Sequence, residues 1–137
     1  MKKTYLLGVA ALIFSACSVA TLSVNELQNK EFTITHFEVN GKTYTIPKNT
    51  QANISFDNRD KRVFGNAACN RFFGTYTEDG NTIKIDNSLA STKMLCDNES
   101  MNFEDNFLKN FSGDFQIQNN NNEGIILDNK KIKIYLK

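Results

Sequence analysis

The sequence predicts an α+β fold: a twisted, barrel-like antiparallel sheet of about eight short strands with one amphipathic helix packed on it. Three observations carry this reading. Beyond residue 30 the chain consists mostly of strand-length segments in which apolar and polar residues alternate. Turn residues, not crossover helices, separate those segments, so neighbouring strands pair antiparallel. One stretch alone, residues 98–111, repeats its apolar residues at helical spacing.

Taken in order, Phe32 and Ile34 alternate with Thr33 and Thr35. Phe37 and Val39 continue in the shifted phase that a bulge or bend produces. Asn40-Gly41 is the strongest short hairpin signal; residues 43–46 return from it and Pro47 ends the strand. Ala52, Ile54 and Phe56 alternate, residues 57–61 turn, and 62–67 come back carrying Val63 and Phe64. Residues 72–77 are β-prone, 78–81 form a turn, and 82–86 follow with Ile83 and Ile85. In 98–111, Phe103, Phe107 and Phe111 stand at i, i+4 and i+8 with Leu108 beside them. Asp97 or Asn98 caps this helix and Gly113 ends it. Phe115 and Ile117 open another strand, residues 119–124 turn it into 125–127, and Asn129-Lys130 leads to Ile132, Ile134 and Leu136. So short a helix is marginal alone in water, so its Phe ladder belongs on the sheet. The core is expected to be phenylalanine and isoleucine, with 11 Phe and no Trp in the chain.

The first 26 residues are of a different kind. Lys2 and Lys3 precede an apolar run from Tyr5 to Phe14, and Ser15-Ala16 then lead into Cys17. That is the pattern of a lipoprotein signal peptide, residues 1–16, with Cys17 acylated after cleavage. The run is shorter than the roughly 18 residues of a membrane-spanning helix. Ser18 stands where aspartate would favour inner-membrane retention, which points to the outer membrane of a bacterial envelope, facing the periplasm. Residues 17–26 read as a tether and 27–137 as the single domain.

Removing residues 1–16 takes 16 basic residues to 14 against 15 acidic, a net charge of −1. Nothing in that balance suits nucleic acid. Of three cysteines, one is used by lipid, leaving Cys69 and Cys96. An even pair in an exported chain points to one disulfide; buried reduced thiols are the alternative, which geometry decides. No Cys-x-x-Cys or Gly-x-Ser-x-Gly occurs. The single histidine, His36, has no short ligand spacing to either cysteine, so no metal site is expected.

Two segments stand out: Cys69-Asn70-Arg71-Phe72-Phe73-Gly74-Thr75-Tyr76 and Leu89-Ala90-Ser91-Thr92-Lys93-Met94-Leu95-Cys96. Together, with Asp79-Gly80 between them and the helix after them, they resemble the META domain, the family of HslJ-like heat-shock proteins, over residues 27–137. Where the family commonly has a glycine beside the first cysteine, this chain has Ala67-Ala68. The resemblance implies an envelope and stress-response setting and no enzymatic activity or cofactor. Asn70, Arg71 and Lys93 are the candidate binding residues; Arg71 and Lys93 suit carboxylates or a ligand anion. The expected function is a non-catalytic envelope lipoprotein that binds or stabilises envelope components under stress. Its expected partners are the membrane, through the lipid anchor, and an envelope protein or small ligand. The second reading is a small periplasmic inhibitor or accessory subunit of an envelope hydrolase or assembly complex, with the basic turn Arg59-Asp60-Lys61-Arg62 as its tip.

Overall fold

The computed structural model describes residues 20–121 and 123–137. The signal peptide read at 1–16, the acylation site Cys17 and the first residues of the tether lie outside them. In chain order the strands are β1 Glu31–Val39, β2 Lys42–Thr45, β3 Ala52–Asp57, β4 Arg62–Ala67, β5 Arg71–Asp79, β6 Thr82–Ile85 and β7 Ala90–Ser91. The helix α1 Asn98–Asn110 follows, then β8 Gly113–Asn119, β9 Ile125–Asp128 and β10 Ile132–Leu136. Strands run in the order β10-β9-β8-β6-β5-β4-β3-β1, and β10 pairs back onto β1. Eight antiparallel strands thus close a barrel, with β2 added beside β1 and β7 beside β5.

Two long strands make the closure. Over residues 31–33 β1 pairs with β3; over residues 36–39 its partners are β2 and β10. The register shifts between Ile34 and His36, where the sequence phase shifts, and the extra residue bends the strand. In the same way β5 pairs with β4 over residues 71–75 and with β6 over 76–79. The β1–β2 turn has Asn40 at φ 50° and Gly41 at φ 80°, the paired left-handed residues of a tight hairpin.

One mouth of the barrel is filled by α1. Asp97 caps the helix, its carboxylate accepting from the Ser100 backbone N at 2.9 Å and from Ser100 Oγ at 2.7 Å. Those hydrogen bonds hold the Asp97 carboxyl below the usual carboxylate range. The helix closes at Phe111; Gly113, expected as its end, instead opens β8 at φ 94°. Asn129 in the β9–β10 turn satisfies the freed carbonyls, donating Nδ2 to Asn110 O at 3.2 Å and Ser112 O at 2.9 Å. Phe103, Phe107 and Phe111 are buried against Phe37, Phe72 and Phe115, with ring centroids 4.8–5.7 Å apart.

The other mouth is closed by residues read as a tether. β8 outruns β6, whose last rung is Thr82 to Gln116, and the N-terminal segment takes the rungs beyond. Thr21 bridges to Gln118, Leu22 N donates to Ile117 O at 2.9 Å, and Asn119 N donates to Ala20 O at 3.1 Å. A single 3-10 turn, Val24–Glu26, then buries Val24, and Leu27 after it is fully buried. From Ala20 onward the chain is therefore part of the barrel, because two apolar side chains and an unpaired strand edge are waiting for it.

Candidate functional site

The two distinctive segments meet beside the N-terminal half of α1. Cys69 and Cys96 form a disulfide with their Cα atoms 6.0 Å apart. Next to it Asn70 is buried, and its side chain spans both segments. Its Oδ1 accepts from the Met94 backbone N at 2.6 Å and from Thr92 Oγ1 at 2.9 Å. Its Nδ2 donates to Met94 O at 3.2 Å and to Glu104 Oε1 at 2.9 Å. Glu104, itself buried, takes the Asn70 backbone N on its second oxygen at 2.5 Å. A further contact lies at Gly74, where an added Cβ would stand 2.5 Å from a Leu89 methyl carbon. Leu89 packs where a side chain at 74 would be.

This cluster explains the spacing of both segments without a ligand. Asn70 is committed to the fold, so of the expected binding residues it is not on offer to a partner. Arg71 and Lys93 are exposed and lie in different hollows. Lys93 Nζ bonds Ser91 Oγ at 3.1 Å; the Arg71 backbone N donates to Thr92 Oγ1 at 3.1 Å. The two cations do not converge on one anion site. Ala68 adopts φ 73°, so the position beside Cys69 is one that glycine occupies at least strain.

Arg71 belongs to a surface that sequence reasoning missed. Strand registers place Glu31, Ser55, Phe64, Phe73 and Ala90 in one row across β1, β3, β4, β5 and β7. Beside it Asn53, Asn66 and Arg71 form a second row. Phe64 is 41% exposed and Phe73 39%, with the two facing each other across β4 and β5. They line a hollow of about 330 Å³ with Glu31, Asn53, Asn66 and Arg71. Asn66 Oδ1, on its wall, is buried with no hydrogen-bond partner among the described residues. The available signal was alternation: Val63 and Phe72 face inward, so their neighbours Phe64 and Phe73 must face out.

Other titratable groups are engaged locally. The His36 ring stacks on Tyr135 with centroids 4.0 Å apart, and Nδ1 pairs with Thr35 Oγ1 at 3.1 Å. Burial, and then the Glu38 carboxylate, push the Tyr135 phenol up. Burial, followed by the charges of Glu78 and Asp57, pushes Tyr76 up to about 12. Among the described residues no group of three or more His, Cys, Asp or Glu side chains is placed to hold a metal. In the turn Arg59-Asp60-Lys61-Arg62, Lys61 Nζ pairs with Glu78 at 2.9 Å and also bonds Asn58 Oδ1, while Arg59 and Arg62 are exposed.

A closed antiparallel barrel, plugged at one mouth by a helix and locked to it by two interlocking motifs, defines a small structural class. The META domain family model matches residues 25–136, and the chain belongs to that family. Two solved structures share the fold. One, an NMR structure of a protein from Burkholderia xenovorans, is 13% identical with a TM-score of 0.69, covering 94% of this chain and 97% of that one. The second, also an NMR structure, is 25% identical with a TM-score of 0.60, covering 82% and 92% respectively. Among curated proteins none matches the sequence.

Proposed function

We propose that this protein is a lipid-anchored component of a bacterial envelope whose META barrel is a non-catalytic binding module for another envelope protein under stress. The observation that carries the reading is the Phe64–Phe73 pair. The barrel interior is occupied by its own phenylalanine and isoleucine side chains. The large aromatic rings left in solvent sit side by side on the outer face of the barrel. Paired aromatics beside an arginine, rimmed by amides and a carboxylate, have the composition of a protein-binding hot spot. An exposed outer face of the barrel suits a macromolecule better than a small ligand, which prefers a pocket that buries most of its surface. The residue pattern ending at Cys17 supports export and acylation, and the Cys69–Cys96 disulfide suits an oxidising compartment. The inhibitor reading is less favoured, because Lys61, one cation of its basic tip, is engaged by Glu78 and Asn58 and the tip carries no exposed apolar anchor.

A photoreactive phenylalanine analogue at position 64 tests the reading in cells under heat stress. The expected result is a discrete cross-link to an envelope protein that Phe73→Ser abolishes. Cross-links that survive Phe73→Ser, or none at all, would refute the face.

A further inference from the structure

We infer that the barrel end built around the N-terminal segment is a membrane-contact surface, seated on the phospholipid headgroups, and that α1 and the disulfide face away from the bilayer. The inference rests on the acylation of Cys17 proposed above.

Its basis is the length of chain between the anchor and the first docked residue. Ala20 is already hydrogen-bonded to Asn119, Thr21 is bridged to Gln118 and Leu22 is bonded to Ile117. Three peptide units separate Cys17 from Ala20, and fully extended they span about 10 Å. The acyl chains of a lipidated cysteine place it in the interfacial layer. The barrel therefore cannot hang freely on a long leash. Whatever lies beside Ala20 lies beside the headgroups.

The registers say what that is. The β5–β6 turn is there, since Thr82 pairs with Gln116, two residues before Gln118. The start of β9 and the end of β10 are there, since Ile125 pairs with Asn119 and with Leu136. Gly124 lies against Leu136 O, which a Cβ would approach to 1.9 Å, and Lys137 exchanges hydrogen bonds with Thr33. The opposite end holds the Asn40-Gly41 turn, the Asn129 turn bonded to the helix terminus, and the exposed Leu95 beside the disulfide. Nine-residue strands, tilted as barrels require, keep the two ends about 20 Å apart.

The membrane-side end is not a basic patch. Lys30 pairs with Glu26 at 3.6 Å and Lys61 with Glu78 at 2.9 Å. Orientation thus comes from the short covalent leash and not from charge, and salt should leave it unchanged.

The test uses the mature acylated protein in bicelles carrying a small fraction of gadolinium-chelating lipid. Amide broadening should be about tenfold or more greater at Leu22, Gly80 and Glu123 than at Gly41, Leu95 and Lys130, given that end-to-end separation. About ten Gly/Ser residues inserted between Ser18 and Val19 should flatten the profile, because a flexible linker of that length frees the barrel. Acylated protein with an even profile, or one unchanged by the insertion, overturns the membrane-contact surface alone. A mass without acyl groups and no broadening overturns the anchor reading and this inference together.

Discussion

Glu104 on α1 accepts two hydrogen bonds from one residue of the β4–β5 connection, Asn70, through its backbone N at 2.5 Å and its Nδ2 at 2.9 Å. Both carboxylate oxygens therefore face donors. That pairing joins helix to barrel, while the other side of the Asn70 amide holds the segment leading to Cys96.

Asn70→Ala should lower the unfolding free energy by about 2–4 kcal/mol, because it leaves Glu104 and both polar groups of the Met94 backbone short of a buried partner. Glu104→Gln, close in shape, should also destabilise, since its NH2 must point at a donor. Urea titrations measure both. A loss under about 1 kcal/mol for Asn70→Ala would show that water replaces the amide without penalty.

Phe107 is fully buried and touches Phe37, Phe72 and Phe111. Phe107→Ala should cost about 3–5 kcal/mol through lost burial and an unfilled cavity. An unchanged melting temperature would contradict the packing of α1 in the barrel mouth.

Ala68 sits at φ 73°, a conformation that is disfavoured by about 1–2 kcal/mol for a residue with a Cβ. Ala68→Gly should therefore raise stability by about 1 kcal/mol, the relief of strain being partly offset by the added freedom of the unfolded chain. A lower denaturation midpoint for Ala68→Gly would mean that the strain is relieved elsewhere.

The main strands and the helix face were legible because each rests on local periodicity. The Ile34/His36 bulge showed as a phase change at Phe37, and Asn40-Gly41 named its own turn. The ladder of Phe103, Phe107 and Phe111 declared a buried helix. What was not legible depends on contacts between distant segments. Nothing local marks Ala20–Leu22 as strand; its partner is an edge that β8 exposes by outrunning β6. Asn70 read as a turn residue or ligand contact, because its partners Met94 and Glu104 lie 24 and 34 positions away. Phe64 and Phe73 read as generic apolar residues until the registers put both on the outer face.

Tyr76 supplies a pH dependence. Its phenol, in the barrel wall, donates to Asp57 O at 3.4 Å and is pushed up to about 12 by burial, then by Glu78 and Asp57. A raised acid favours the neutral form in the folded state. Its stabilising contribution is complete below the unfolded value of 10.0 and is lost as pH rises through about 12. The wild type should thus lose stability between those values, and Tyr76→Phe should lose less over the same interval. Equal slopes for the two proteins would assign the alkaline transition to other groups.

The disulfide and the Asn70 amide fasten the same two segments, which makes their effects interdependent. Cys69 and Cys96 are separated by 27 positions, and the loop they close holds the β5–β6 hairpin and β7. On the chain-entropy view, cross-linking a loop of that length stabilises the fold by about 3–4 kcal/mol. Reduction should lower the denaturation midpoint accordingly. The protein should stay folded, because Asn70 still holds Thr92 and Met94 and the phenylalanine core is untouched. Removing both fasteners is different. Once the disulfide is reduced, Thr92 still bonds Arg71 but Met94 is held by the Asn70 amide, so Asn70→Ala should destabilise reduced protein by about 1 kcal/mol more than oxidised protein. Denaturant titration of the wild type and Asn70→Ala, each with and without reductant, measures that difference. Strict additivity would show that the amide and the disulfide hold the segment independently, and that the two motifs are neighbours in space without being one mechanical unit.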